Sequence, residues 1–163
     1  MPAFRTEPTR DDIAAVRRIV TSTGFFRPDE IDIAAELVEE RLGQGLEASG
    51  YHFVFADGEE GEAGASIGYA CFGPIPCSLT SWDLYWIAVD AAAQRGGLGR
   101  ALLEAAEASV RAQGGKALYI ETSAKPQYDA TRFFYEACGY ALEHVFQDFY
   151  APGDGKAVYS KRL

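Results

Sequence analysis

A cluster of glycines near the middle of the chain lies between a hydrophobic segment and an amphipathic one, in the sequence Gln94-Arg95-Gly96-Gly97-Leu98-Gly99-Arg100. Because glycine has no Cβ, several backbone N–H groups can converge there, and the first N–H groups of a following helix lack intrahelical partners. Such a turn can bind phosphate or pyrophosphate. The residues therefore predict an anion-binding strand–turn–helix unit. A turn that merely allows close packing of strand and helix stays open as the alternative.

Three phosphate ligands can be compared for this turn. A nucleotide P-loop requires Lys-Ser/Thr after its last glycine, and Arg100-Ala101 stands there instead. A dinucleotide site fits better, because Gly97-Leu98-Gly99 opens a helix and Glu121 ends the next strand, but Leu102 occupies the third glycine position. The unit also follows helices and antiparallel strands rather than opening a run of βαβ repeats. The pyrophosphate of coenzyme A is the remaining ligand.

The elements that must position this turn follow from hydrophobic periodicity and from glycine and proline breaks. Thr9 is expected to cap the first helix. The expected order is a strand at 2–8, helices at 9–24 and 29–43, a hairpin of 51–55 and 66–72 around a loose turn at 57–64, a strand at 82–89, a helix at 98–112, a strand at 117–121, a helix at 129–137, and strands at 141–149 and 156–161. We expect the strand–turn–helix–strand unit to be right-handed with parallel strands.

Composition and charge limit the classes of protein to which the chain can belong. Its 163 residues, 48% hydrophobic and 24% charged, suit one folded domain, and without a linker or repeat we expect a single domain over 1–163. The net charge of −9 argues against a nucleic-acid partner, since that affinity comes mostly from Lys and Arg on phosphates. A cationic or amine-bearing partner suits this charge, although solubility alone would explain it.

The sequence predicts neither a membrane partner nor a metal site. Apolar runs such as 84–89 are far shorter than the roughly 20 residues of a transmembrane helix. The N-terminus has no apolar leader segment, so a soluble protein in the cytoplasm is expected. Cys71, Cys77 and Cys138 lack metal-ligand spacing, so we expect reduced thiols and no structural zinc.

Two motifs resemble those of one superfamily of enzymes. The pattern Gln94-x-x-Gly97-x-Gly99, after Ile87-Ala88-Val89-Asp90, resembles motif A of the GNAT superfamily of N-acetyltransferases. The segment Arg132-Phe133-Phe134-Tyr135-Glu136-Ala137-Cys138-Gly139-Tyr140 resembles that family's later helix and follows in the expected order. The element order from residue 3 to 163 is also similar, so the resemblance covers nearly the whole chain.

The resemblance implies a fold and a co-substrate. The fold would be α/β, a mixed, mostly antiparallel central sheet of six to seven strands with a central parallel splayed pair, flanked by about four helices. The co-substrate would be acetyl-CoA, its pyrophosphate on the turn amides and its pantetheine arm paired with the preceding strand. The family's coenzyme-binding residues correspond here to Ile87, Ala88, Val89, Gln94, Arg95, Gly96, Gly97, Leu98, Gly99, Arg100 and Tyr135.

Two positions depart from the family's pattern. Ala91 stands where a proline is common, and the asparagine common after the following strand is absent from Ser123-Ala124-Lys125-Pro126-Gln127. The second departure leaves part of the coenzyme contact unassigned.

The resemblance also implies catalytic roles. Tyr135 matches a tyrosine near the coenzyme sulfur, where a phenol can protonate or hydrogen-bond a departing thiolate. Asp83, which shares a strand face with Val89, and Glu121, at the end of the next strand, match base positions of different members. A water chain without a dedicated base, or solvated carboxylates, stay open. The N–H group of Val89 is the expected donor to the oxyanion.

The acceptor is expected to be an amine of a small molecule or of a peptide or protein N-terminus. If the family's layout holds, Phe25-Phe26, the segment 82–86 and Gln147-Asp148-Phe149-Tyr150 would surround it, although these aromatics suit a core equally well. His52 and His144 are expected in surface or core roles outside the motifs. Dimers are common in the family, so a homodimer is among the implied assemblies. A module that binds acyl-CoA without turnover is the alternative function.

Overall fold

The computed structural model describes residues 2–58 and 65–163, which form seven strands, five α-helices and two short 3-10 helices. The strands are β1 (Ala3–Arg5), β2 (His52–Asp57), β3 (Ser66–Pro74), β4 (Ser81–Val89), β5 (Ala117–Ser123), β6 (Ala141–Ala151) and β7 (Asp154–Arg162). The helices are α1 (Asp11–Ser22), α2 (Pro28–Gln44), α3 (Leu46–Ser49), α4 (Leu98–Ala112) and α5 (Asp129–Ala137), with 3-10 helices at Ala91–Ala93 and Pro126–Tyr128.

The seven strands form one mixed sheet in the order β1-β2-β3-β4-β5-β7-β6. β4 and β5 are parallel, with Ser81–Leu84 opposite Ala117–Ile120. The pairs β1/β2, β2/β3, β5/β7 and β6/β7 are antiparallel. The predicted fold class, a mostly antiparallel α/β sheet with a parallel central pair, is therefore confirmed.

The described chain divides into two compact units. The first unit comprises Met1–Gly73 and Trp86–Ala108, and the second comprises Pro74–Tyr85 and Ser109–Leu163. Both β4 and α4 therefore contribute residues to each unit. The single domain over 1–163 stays a prediction.

The core of the first unit forms between α1, α2 and the strands. Apolar residues recur at helical spacing on α1 and α2, which turns one stripe of each helix toward the sheet. The buried members of this core are Val16, Ile19, Val20, Ala34, Val38, Phe53, Phe55, Tyr69, Cys71 and Ala88.

A network of ion pairs and hydrogen bonds around Arg5 connects β1 to this core. The Arg5 guanidinium donates to both oxygens of the buried Asp12, at 2.8 and 2.6 Å, and to Asp57 at 2.7 Å. It also stacks 4.6 Å from the centroid of Phe55. The sequence predicted Thr9 as the cap of α1, which is wrong: Arg10 is the N-cap, and the Thr9 N–H donates to Asp12 at 2.6 Å.

The second unit has one covered sheet face and one open face. Alternate side chains of β5 and β7 are buried beside Tyr135 of α5, which lies 6.2 Å from Tyr159. The residues between them, among them Glu121 and Lys156, lie on the opposite face. The face opposite α5 thus carries charged side chains in this unit, with 51% of Glu121 and 14% of Lys156 exposed.

Several element boundaries differ from the sequence-based prediction. β1 is shorter than 2–8. Helix α2 passes through Gly43 and ends at Gln44, and Gly45, whose φ of 86° suits glycine, is its C-cap. The one-turn helix α3 was not predicted. Part of the predicted loose turn, residues 59–64, lies outside the described residues.

Candidate functional site

The end of β4 is fixed in place before the glycine turn begins. The Asp90 N–H donates to the Ile67 carbonyl of β3 at 2.8 Å, and the Ala91 N–H donates to the Ser22 Oγ of α1 at 3.0 Å. The Asp90 carboxylate accepts from the Ala92 N–H at 3.0 Å and so caps the first 3-10 helix. Three elements of the first unit therefore hold the strand end that leads into the turn.

The turn itself reverses through two left-handed residues. Arg95 has φ 72° and Gly97 has φ 78°, and the Gln94 side-chain amide donates to the Val89 carbonyl at 3.1 Å. A Cβ added at Gly96 or Gly97 would meet nothing within 4 Å. The turn is therefore accessible from outside, and the first N–H groups of α4 follow it without intrahelical partners. This combination of open glycines and a helix N-terminus can hold a pyrophosphate.

A glycine in β3 sets how closely α4 approaches the sheet. A Cβ at Gly68 would lie 3.0 Å from Leu102 Cδ1 and 3.2 Å from the Ala88 carbonyl oxygen. Both distances are too short for an ordinary contact, so only glycine fits without a shift. Gly68 therefore helps to place the N-terminal part of α4 against β4. The sequence analysis did not identify this role, because it depends on a long-range contact.

The two predicted carboxylates lie on the open face of the second unit. Asp83 of β4 is opposite Tyr119 of β5, and Glu121 follows on the same face of β5. Burial, followed by the charge of Glu121, raises the pKa of Asp83, and the charge of Lys156 opposes that rise. A half-buried carboxyl with a raised pKa can accept a proton more readily than an ordinary aspartate.

Lys156 is a site residue that the sequence analysis missed. Its Nζ lies 3.4 Å from Glu121 Oε1, and its side chain is 14% exposed. The same Nζ lies 3.9 Å from the ring centroid of Phe149 and 5.3 Å from that of Phe146. An ammonium between two rings and a carboxylate is well stabilised. The alternation of β7 places Lys156 on this face, but only the register of β5 and β7 brings it to Glu121.

Tyr135 is buried in the second unit, on α5. Its ring lies 5.5 Å from Phe134, 6.2 Å from Tyr140 and 6.2 Å from Tyr159. Burial, with a further contribution from Cys138, raises the pKa of the phenol far above its usual value. The hydroxyl therefore stays protonated at neutral pH and can act as a donor.

Arg132 organises the loop where the family's asparagine is absent. Its Nη1 donates to the carbonyls of Ser123 and Lys125, at 2.7 and 3.0 Å. Ser123 Oγ donates to Asp154 at 2.5 Å. The loop between β5 and α5 is thus fixed by an arginine of α5 and by β7.

The residues proposed to surround the acceptor belong to both units. In the first unit, Phe26 lies against Trp86 at 4.8 Å, and 46% of Phe25 is exposed. In the second, Phe149 and Tyr150 are about half exposed on β6. Asp148 has φ 55° and accepts from the Gly153 N–H at 2.7 Å, so its carboxylate stabilises the β6–β7 hairpin.

The two histidines pack against aromatic rings. His52 stacks on Phe72 at 5.7 Å, and burial, followed by the charge of Arg41, lowers its pKa. His144 lies edge-on to Phe146 at 4.6 Å. These contacts agree with packing roles outside the motifs.

The predicted residues divide between the two units. The proposed coenzyme residues of β4, the turn and α4 lie in the first unit, and Asp83, Glu121 and Tyr135 lie in the second. Across residues 2–58 and 65–163, no group of three or more His, Cys, Asp or Glu side chains could hold a metal ion. Among the helices of those residues, none has the length and apolar character to span a membrane.

Comparison with known proteins gives a family match and close structural likeness. The model of the Acetyltransferase (GNAT) family matches residues 15–140. A crystal structure of a protein from Desulfovibrio desulfuricans, assigned to the GNAT acetyltransferases, is 48% identical with a TM-score of 0.94, covering 99% of this chain and 99% of that chain. The comparison with curated proteins finds no match.

More distant structures share the fold. An aminoglycoside 6′-N-acetyltransferase complexed with coenzyme A is 16% identical with a TM-score of 0.75, covering 98% of this chain and 96% of that chain. The ribosomal-protein-S18-alanine N-acetyltransferase from Escherichia coli is 21% identical with a TM-score of 0.74, covering 100% and 94%. The family model spans most of the chain and includes the whole glycine turn. The chain therefore belongs to the GNAT family of acetyltransferases.

Proposed function

We propose that this protein is an acetyl-CoA-dependent N-acetyltransferase that transfers the acetyl group to a primary amine of a small molecule or of a peptide or protein N-terminus. The observation that carries the proposal is the anchored glycine turn at the head of α4. Its strand end is held by hydrogen bonds to Ile67 and Ser22, and Gly96 and Gly97 are open to a ligand. The turn also lies within the residues that match the family.

The turn suits the diphosphate of coenzyme A. Its backbone N–H groups and the positive end of α4 would hold the negative oxygens, with Arg95 and Arg100 supplying charge nearby. Ile87, Ala88 and Val89 would pair with the pantetheine arm as a further strand. When bound, acetyl-CoA supplies the activated acetyl group as a thioester. A structural relative complexed with coenzyme A supports this choice of co-substrate.

Tyr135 is proposed to donate a hydrogen bond to the departing thiolate. Its raised pKa keeps the proton on the phenol at neutral pH. A thiol has an ordinary pKa near 8.5, so full transfer from this phenol would be unfavourable unless the thiolate were also desolvated. Donation of a hydrogen bond needs no such transfer. We therefore assign to Tyr135 the stabilisation of the thiolate. The proton that the thiolate finally takes comes from the acceptor nitrogen, which loses it on becoming an amide.

Asp83 is the carboxylate that we propose as general base. An amine attacks a carbonyl only when neutral, so a base must remove a proton from the ammonium form. The raised pKa of Asp83 brings it nearer to that of an amine, whereas Glu121 is paired with Lys156 at 3.4 Å. Glu121 and Lys156 would then set the charge around Asp83. An acceptor that carries a positive charge suits the two carboxylates of this face.

The coenzyme part of the proposal is tested by calorimetric titration with acetyl-CoA and, separately, with NADH. Saturable binding of acetyl-CoA without binding of NADH is expected. Binding of NADH alone would contradict the proposal. Acetyl-CoA binding without thiol release in the presence of any amine would favour a non-catalytic module. A cytoplasmic location and a homodimer stay predictions.

A further inference from the structure

Arg41, near the C-terminal end of α2, is a buried charged group in the first unit that neither the turn nor the proposed chemistry uses. Its side chain is only 8% exposed. Its Nε is buried and has no hydrogen-bond partner in the described part of the chain. Buried guanidinium groups are normally fully paired, because an orphaned charged donor is costly. An acceptor that reached Nε would therefore stabilise this group.

The ion pair that Arg41 does make is loose. Its Nη2 lies 3.3 Å from Glu7 Oε2 and 3.5 Å from Oε1. Charge-assisted hydrogen bonds between such groups are shorter, about 2.7–2.9 Å. The Glu7 side chain is 81% exposed, so the carboxylate returns to water easily. Another carboxylate with better geometry could therefore replace that of Glu7.

A cleft of about 300 Å³ opens beside this pair. It is lined by Glu7, Pro8, Arg41, Leu42, Gly45 and Leu46. Leu42 and Leu46 are 39% and 37% exposed, which leaves apolar surface next to the guanidinium. Small-molecule sites typically combine apolar walls with a few polar groups that fix orientation. An apolar chain that ends in one negative group fits both features.

We propose that this cleft binds a small monocarboxylate with an apolar chain. The ligand carboxylate takes the place of the Glu7 carboxylate on Arg41 and reaches Nε, while its chain covers Leu42 and Leu46. One negative charge replaces another, so the local charge balance is kept in a chain of net charge −9. A dianion would lack that balance. The site is built from residues of α2, α3 and the segment after β1, apart from the glycine turn.

The test is calorimetric titration of the intact protein with sodium hexanoate, with hexanol as the uncharged control. Hexanoate is expected to bind and hexanol to bind at least about tenfold more weakly, because a charge-assisted hydrogen bond is lost. Arg41→Met should weaken hexanoate binding by at least about tenfold. Glu7→Gln should tighten it about twofold to fivefold, because the competing carboxylate is gone.

Each contrary outcome overturns the proposal. The first is that the wild type does not bind hexanoate. The second is that the wild type and Arg41→Met bind hexanoate with equal affinity. The third is that Glu7→Gln binds hexanoate no more tightly than the wild type. If Arg41→Met fails to fold, the Glu7→Gln titration decides alone, since Glu7 is exposed. The titrations are repeated with saturating coenzyme A, and loss of hexanoate binding there would place the ligand at the coenzyme turn and also overturn the proposal.

Discussion

Gly96 is the residue whose surroundings best separate folding from coenzyme binding. A Cβ at this position would meet nothing within 4 Å, and its backbone is not left-handed. Gly96→Ala should therefore leave the free energy of unfolding nearly unchanged. A bound pyrophosphate that approaches the backbone closely would meet the new methyl group, so acetyl-CoA affinity should fall about tenfold.

Calorimetry of Gly96→Ala measures this effect, and Gly43→Ala is the matched control. Gly43 lies in α2 and a Cβ there also meets nothing within 4 Å. The control should bind acetyl-CoA like the wild type. Equal affinity of Gly96→Ala and the wild type would remove the turn from the coenzyme site.

Tyr135 offers a test of the leaving-group step. Tyr135→Phe removes only the hydroxyl and keeps the ring that packs against Tyr140 and Tyr159. We expect kcat to fall by about 100-fold, the effect of removing one hydrogen-bond donor to a developing negative charge, with little change in acetyl-CoA affinity. Steady-state kinetics and calorimetry measure the two effects separately. An unchanged kcat would show that the hydroxyl has no part in the reaction.

If Asp83 is the base, the profile of kcat/KM against pH should have an acid limb that follows the pKa of Asp83. Removing the charge of Glu121 or of Lys156 should move that limb in opposite directions. A base acts when deprotonated, so activity should rise with pH through the pKa of Asp83. Because Glu121 raises that pKa, Glu121→Gln should move the limb to lower pH. Because Lys156 lowers it, Lys156→Met should move the limb to higher pH.

The profiles of kcat/KM against pH for both variants decide whether Asp83 is the base. Shifts in the same direction, or none in either variant, would favour a water chain instead. Glu143→Gln is a suitable control. Glu143 lies on the same β-sheet, but its carboxylate accepts a hydrogen bond from Ser160 Oγ at 2.5 Å instead of pairing with Lys156.

At the scale of elements, the close approach of β3 and α4 positions the turn. Gly68→Ala would bring a Cβ to 3.0 Å from Leu102 and 3.2 Å from a backbone oxygen of Ala88. The backbone oxygen cannot turn aside as a flexible side chain can. The variant should lose about 1–3 kcal/mol of unfolding free energy and bind acetyl-CoA more weakly. Urea unfolding measures the loss of stability, with Gly43→Ala as control. If Gly68→Ala were as stable as the wild type, α4 would be able to shift freely.

The helices and strands were largely predictable from local patterns, because one apolar stripe or face is enough to identify them. The errors fall where a long-range contact or a backbone angle decides. α2 continues through Gly43, because a helix tolerates a glycine, and ends at Gln44, before the C-cap Gly45 with φ 86°. Asp148 stays among the residues expected around the acceptor, but no local pattern predicted its left-handed backbone or its hydrogen bond from the Gly153 N–H.

The candidate site was predicted in part. The glycine turn is a local sequence signal, so its residues could be identified before the fold was known. Lys156 could not, because its meeting with Glu121 depends on the register of β5 and β7. The sequence also did not identify Arg41, because only the packed structure shows that its Nε is buried.

For the whole molecule, the Arg5 network makes stability depend on pH. Burial acts to raise the pKa of Asp57, but the hydrogen bonds from Arg5 and Ser66 together with the charge of Arg5 outweigh it and hold that pKa below its usual value. A depressed folded-state pKa stabilises the protein above the unfolded pKa, about 3.9, and the contribution disappears as pH falls through the folded value. Asp57→Asn should therefore cost about 1–3 kcal/mol at pH 7 and progressively less below about pH 4.

Urea unfolding of the wild type and Asp57→Asn across that pH range checks this sign. Asp32→Asn is the control, because Asp32 pairs with Arg17 on the exposed surface at 2.7 Å and should change stability little. A difference between Asp57→Asn and the wild type that grew toward low pH would contradict the network's role.

The central claim concerns acetyl transfer from acetyl-CoA to an amine. The measurement that tests it most directly is release of free coenzyme A thiol by the wild-type protein, with a panel of polyamines, aminoglycosides, amino acids and peptide N-termini. The account predicts saturable release that requires one class of amine and falls strongly in Tyr135→Phe. Tight binding of acetyl-CoA with no amine-dependent release across the panel would contradict it.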